Sequence, residues 1–164
     1  MCIRDRYTTP ALAEPLASRV RHGGFVHGAQ LVDSAAFGVS PAEAAAMDPC
    51  QRLLLERGYS VLHNGALQRG ALSGSLTGVF LGFGGSEFAQ VLSSSPAGAS
   101  AYAATGSTSS IASGRLSYVL GLHGPCVSYD TACSAALVAC HAGLRATQLR
   151  ESIGSLVALS LIHI

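Results

Sequence analysis

The sequence predicts an α/β fold with a largely parallel sheet, and two observations carry that prediction. Apolar runs of strand length, Thr77 to Gly84, Cys126 to Asp130 and Ser155 to Leu161, are separated by stretches with helical periodicity. Strands that alternate with helices suit a parallel sheet, because each crossover must carry the chain back to the edge it started from. In addition, two helix starts near the middle of the chain are spelled out in local chemistry.

Residues 1–20 show no clear period and carry Pro10 and Pro15. Arg21 to Val26 reads as a turn entering a short strand, and Leu31 to Phe37 as a short mixed segment. Ser40-Pro41-Ala42-Glu43 is a helix start: Ser40 caps, Pro41 suits the first helical position, and Glu43 reaches back as a capping box. Asp48-Pro49-Cys50-Gln51 repeats that logic, with Gln51 as the expected reciprocal partner. This second helix runs to about His63 with an apolar stripe of Leu54, Leu55, Tyr59 and Leu62, and Asn64-Gly65 ends it.

After the strand at Thr77 to Gly84, a short helix is expected from Ser86 to Leu92 and a loop from Ser93 to Ser100. One helix is expected from Ser107 to Leu120, with Ile111, Leu116, Val119 and Leu120 apolar. Gly121 to Pro125 turns into the strand at Cys126 to Asp130. The following helix, Cys133 to about Arg150, is apolar on almost every side up to Leu144, and a helix of that kind belongs in the interior. No internal repeat is present.

The 164 residues suffice for one domain with a core, yet 49% are hydrophobic and only 12% charged. Such a composition implies surface that is buried in a larger domain or against a partner. The net charge of +1, with no basic cluster, argues against nucleic acid or an anionic membrane as partner. No uncharged apolar run reaches membrane-spanning length. The five cysteines show no Cys-x-x-Cys pair and no secretory signal precedes them, so reduced thiols in the cytoplasm are expected.

Val127 to Ala139 carries the chemistry. A strand turns sharply into an apolar helix, with Cys133 at the turn. A thiol at a helix start meets the positive end of the helix dipole and unpaired backbone N–H groups, which favour the thiolate nucleophile. The same N–H groups can hold the oxygen of a thioester under attack. The segment therefore points to acyl transfer through a cysteine thioester, against the plainer alternative of a buried inert thiol. Cys126, Cys133 and Cys140 are spaced by seven, but two helical turns set Cys133 and Cys140 roughly 10 Å apart, too far to share a metal ion. His141 lies eight residues along the same helix, out of reach of Cys133 as a base. Gly82-Phe83-Gly84-Gly85-Ser86 lacks the spacing and the lysine of a nucleotide loop, so close packing at a strand end is expected there. Arg115, within a helix of small residues, is expected to pair with a carboxylate or a carbonyl rather than to act in catalysis.

Six segments, in order, resemble the N-terminal half of a β-ketoacyl synthase, the ketosynthase domain of modular polyketide synthases. They are Gly23-Gly24-Phe25, Phe37 to Glu43, Met47-Asp48-Pro49, Gln51 to Glu56, Gly114 to Pro125, and Asp130-Thr131-Ala132-Cys133-Ser134. The resemblance covers about residues 21–150 and implies a thiolase-like fold, here its N-terminal half, in layers of α/β/α with a mixed, largely parallel sheet. It implies that Cys133 is the catalytic nucleophile, acylated from an acyl carrier protein. Malonyl carrier protein then loses carbon dioxide, and its carbanion attacks the Cys133 thioester. No bound cofactor or metal is implied, since the acyl and malonyl groups arrive on phosphopantetheine. A homodimer is implied for the complete enzyme, and Tyr102 falls in the segment near its dimer contact and substrate entrance. The plainer expectation for Tyr102 is packing.

The family's two catalytic histidines lie in His-Gly-Thr-Gly-Thr and Asn-x-x-Gly-His motifs, and neither motif is present in the 164 residues. The expectation is a truncated chain: residues 1–6 and 159–164 foreign to the family, and 7–158 a partial ketosynthase domain that can be acylated but cannot condense. Cys50 stands where the family commonly has Gln, and Ser113 where it commonly has Ala. A non-catalytic binding or dimerising piece, and a condensing enzyme acting on coenzyme A esters, are the alternatives.

Overall fold

The structure is a computed structural model that describes residues 5–6, 13, 22–23, 26–84 and 87–160. It is organised around one strand. Asp5–Arg6 (β1) pairs antiparallel with His22–Gly23 (β2). The expected entry strand continues over Gly24 and Phe25, which lie outside the described residues. Thr77–Phe83 (β3) is central in a parallel sheet of three strands, with Cys126–Tyr129 (β4) on one side and Gly154–Ser160 (β5) on the other. All seven residues of β3 are buried, as expected of a strand covered on both faces.

The helices are Ser34–Phe37 (α1), Pro41–Ala46 (α2), Pro49–Asn64 (α3), Arg69–Leu72 (α4), Phe88–Ser93 (α5), Ala103–Ser107 (α6), Ser109–Leu120 (α7) and Ala135–Gln148 (α8). Short 3-10 turns occupy Pro96–Ala99, within the expected loop, and Ala132–Ser134. The sheet's alternation assigns the layers. Val79, Leu81 and Phe83 pack with Leu54 and Cys50 of α3 and with Ala112, Leu116 and Leu120 of α7. Phe80, facing the other way, packs with Ala139 and Ala146 of α8. The result is an α/β/α sandwich.

Local chemistry sets the helix starts. Ser40 Oγ accepts from the amide of Glu43 at 3.2 Å, and Asp48 Oδ1 from that of Cys50 at 2.6 Å. The expected reciprocal halves of both capping boxes do not form. Gln51 is 1% exposed, and its Nε2 donates to the carbonyls of Thr105 and Thr108, each at 3.3 Å. Its Oε1 accepts from Arg115 Nε at 3.0 Å, and Glu43 Oε1 accepts from Arg115 Nη1. Long-range partners have replaced local ones, and Arg115 is paired as the sequence predicts. The helix expected from Ser107 begins at Ser109: Thr108 is extended, with ψ of 130°, and Gln51 donates to its carbonyl and to that of Thr105 in the preceding helix.

Arg52 lies beneath this corner. Its guanidinium donates to Met47 O and Gln30 O and sits over the Phe88 ring. Burial pushes its pKa below the usual arginine value, and the charge of Asp48 works against that shift. α3 ends at Asn64 as expected, but Gly65 is not the left-handed residue; Ala66, at φ 62°, is.

α8 departs from expectation. Only Ala135, Ala139, Gly143 and Ala146 are buried, one stripe against the sheet. Leu137 is 75% exposed and Leu144 56%. The helix reads as interior because both faces are apolar, but the described residues cover only one of them.

Candidate active site

Cys133 sits where β4 hands over to α8. β4 ends at Tyr129, and Asp130 and Thr131 lead into the 3-10 turn Ala132–Ser134. Ala132 takes φ 51°, a left-handed conformation that a side-chain-bearing residue adopts at a cost of about 1 kcal/mol. The turn is braced from within. The Ser134 amide and hydroxyl both donate to Thr131 O, at 3.2 and 2.7 Å, and the hydroxyl lies 3.0 Å from Thr131 Oγ1. Asp130 Oδ1 receives a long bond of 3.4 Å from the Ala132 amide.

Cys133 is thus in neither the strand nor the helix. It precedes Ser134, the capping residue of α8, where the sequence expected it to begin the helix itself. Ser134 makes no side-chain cap bond, so no cap hydroxyl occupies the first-turn amides of α8. Cys133 is exposed among the described residues. Cys126 and Cys140 are exposed and Cys50 is buried; all four are free thiols. His141 is also exposed, one turn past Leu137. Among the described residues no three His, Cys, Asp or Glu side chains form a group fit for a metal ion, and no helix is long and apolar enough to cross a membrane.

The turn is tied to both sides of the sandwich. Ser128 of β4 donates to Ser109 O and contacts Ser113 Oγ, both at 2.9 Å, fastening the strand before the turn to the start of α7. Ala135 follows the turn, is 0% exposed and packs on the backbone of Gly82. The sequence marks Gly82 as a packing glycine but does not connect it to Cys133. Ser113, noted only as a departure from the family's alanine, proves to have a hydroxyl partner.

Tyr102 is not brought to the thiol. It is 39% exposed and lines a cavity of about 380 Å³ with Phe37, Ile111, Tyr118 and the Glu43–Arg115 pair, to which Cys133 does not contribute.

Cys133 is thus an exposed thiol on a strand-to-helix turn at the end of a strand of the parallel sheet. The chain belongs to the β-ketoacyl synthase family: residues 3–157 match the family described as beta-ketoacyl synthase, N-terminal domain. It is 44% identical over 153 residues to the spectinabilin polyketide synthase system protein NorC of Streptomyces orinoci, covering 93% of this chain and 7% of that protein. It is 45% identical over 152 residues to the polyketide synthase GfsB of Streptomyces halstedii, covering 93% of this chain and 3% of that one. Among solved structures, the ketosynthase from module 6 of the bacillaene synthase of Bacillus subtilis 168 superimposes with a TM-score of 0.76 at 30% identity, over 88% of this chain and 24% of that chain. The fold is the thiolase-like fold of the ketosynthases, and the chain spans about a quarter of that ketosynthase's length.

Proposed function

We propose that this chain is the thiol-bearing part of a polyketide synthase ketosynthase and that Cys133 is its nucleophile. The supporting observation is the exposed Cys133 on its turn between β4 and α8, inside the stretch that matches the family. The Cys133 thiolate attacks the thioester carbonyl of an acyl group carried on the phosphopantetheine of an acyl carrier protein. The first-turn amides of α8 stabilise the oxyanion that forms. The phosphopantetheine thiolate leaves and is protonated, and the acyl group stays on Cys133. In the complete enzyme, malonyl carrier protein loses carbon dioxide, its enolate carbon attacks the Cys133 thioester, and the Cys133 thiolate is released from a β-ketoacyl chain two carbons longer.

Residues 7–158 are the ketosynthase portion, acting in the cytoplasm, with acyl carrier protein as partner and a homodimer as the complete assembly. The uncovered Leu137 and Leu144 on α8, with Ile153 72% exposed nearby in sequence, suit a chain on which further parts of the enzyme pack.

The test is incubation of the 164-residue chain with acyl carrier protein thioesters, followed by intact mass and product analysis. An acyl adduct that disappears in Cys133→Ala, without elongated product, is expected. An adduct that persists in Cys133→Ala removes Cys133 from its role. Elongated β-ketoacyl product from this chain alone overturns the assignment of condensation to the complete enzyme.

A further inference from the structure

Gly82 lies near the end of β3, opposite Tyr129 on β4 and Leu159 on β5. The alternation that turns Leu81 and Phe83 toward α3 and α7 turns Gly82 toward α8. A β-carbon on Gly82 would stand 2.9 Å from the carbonyl carbon of Ala135, 3.0 Å from its oxygen and 2.9 Å from Leu159 Cδ1. Two of these contacts are with backbone, which has no rotamer by which to move aside.

Both ends of the loop that carries Cys133 therefore rest on one residue. Tyr129, where the loop leaves β4, is the cross-strand neighbour of Gly82, and Ala135, where the loop ends, packs on it. The five residues between, 130–134, span that gap with Ala132 left-handed and with Thr131 and Ser134 bonded to each other.

We propose that Gly82 is a positioning residue for Cys133: its missing side chain lets the first turn of α8 settle on β3, and that height fixes the span across which the Cys133 turn is stretched. The consequence for acyl transfer rests on the reading of Cys133 as nucleophile; the geometric claim does not.

Gly82→Ala in the 164-residue chain tests it. Labelling with iodoacetamide, resolved by peptide mass spectrometry, compares four sites in one sample. The Cys133 rate is expected to change by about threefold or more relative to Cys126 and Cys140, which are also exposed thiols, while buried Cys50 stays unlabelled. Backbone amide resonances of residues 131–136 are expected to move and those of 142–148 to hold. Gly143→Ala is the control. Its β-carbon would meet Ser155 Cβ and Val157 Cγ2 at 3.1 Å, near the far end of α8, so it loosens the helix and leaves the Cys133 ratio unchanged.

If Gly82→Ala opens Cys50 to label, the chain has unfolded, and the double variant with Leu159→Ala removes the side-chain part of the crowding and keeps the backbone part. That variant is expected to fold and still to shift Cys133. An unchanged Cys133 ratio in a folded variant overturns the proposal. So does unfolding of both variants, since Gly82 would then be a requirement of the sheet rather than of the turn. Failure of the wild-type chain to take an acyl group at Cys133 refutes the nucleophile reading and leaves this comparison intact.

Discussion

Arg115 Nε donates to Gln51 Oε1 at 3.0 Å, joining residues 64 positions apart in the chain. Nη1 of the same guanidinium pairs with Glu43, so one side chain on α7 ties down α2 and α3 together. Gln51 extends the network to the carbonyls of Thr105 and Thr108. The Arg115 side chain is 8% exposed and that of Glu43 24%, so the pair is buried at one end and partly wet at the other. Truncation as Arg115→Ala leaves Gln51 without its donor and Glu43 without its counter-charge. We expect a loss of about 2–4 kcal/mol, somewhat under the full penalty for a buried pair because Glu43 reaches water. Arg115→Lys is expected to recover less than half, since one ammonium cannot serve both acceptors in the forked geometry. Urea unfolding midpoints check both.

Gly106 is a harsher constraint. A β-carbon there would lie 1.9 Å from the carbonyl oxygen of Ala46, while Gly106 O accepts the Asp48 amide at 2.9 Å. Backbone meets backbone on both sides, so the corner between α2 and α3 has to open. Gly106→Ala is expected to abolish a cooperative thermal transition, read by near-UV circular dichroism.

Asp48 is wholly buried and does two things. Oδ1 caps α3 on the Cys50 amide, and the carboxylate offsets the desolvation of Arg52. Oδ2 has no hydrogen-bond partner among the described residues. Asp48→Ala removes cap and counter-charge together and is expected to cost about 2–4 kcal/mol. Asp48→Asn keeps the capping oxygen and is expected to cost less. The order of the two melting temperatures is the check; Asn falling as far as Ala would place the weight on charge rather than on the cap.

The bare face of α8 gives opposite outcomes in two settings. Leu137→Lys with Leu144→Glu removes two exposed apolar side chains and is expected to lower aggregation of this chain, measured by light scattering, with little change in its unfolding midpoint. In a complete ketosynthase carrying the same substitutions, dimer yield and condensation rate are expected to fall. Equal tolerance in both would count against further parts of the enzyme packing on that face.

Where the determinants are local, the sequence and the structure agree. Asp48-Pro49 and Ser40-Pro41 start helices as written, and the strands at Thr77 and Cys126 fall within a residue or two of expectation. The turn at Cys133 is legible because a short strand-like run, Cys126 to Asp130, meets small helix-forming residues within a few positions. What sequence does not reveal is the choice between near and distant partners. Gln51 and Glu43 carry capping-box chemistry and spend it on residues more than 50 positions away, because burial makes an unpaired guanidinium costlier than an unpaired helix-start amide. The left-handed Ala132 is equally hidden: nothing in the residue type announces it. The continuous greasiness of α8 is legible, but periodicity alone does not say what covers its second face.

The strand order β4-β3-β5 has a bearing on synthesis. β3 leaves the ribosome early, but its partner on one side begins only at Gly154. Until that late segment emerges, Thr77–Phe83 has one flank unpaired, and its backbone offers an adhesive rim to any neighbouring nascent chain. A polysome translating this message carries many such half-finished sheets side by side, so the interval before Ser160 appears is when a holdase chaperone matters most to yield.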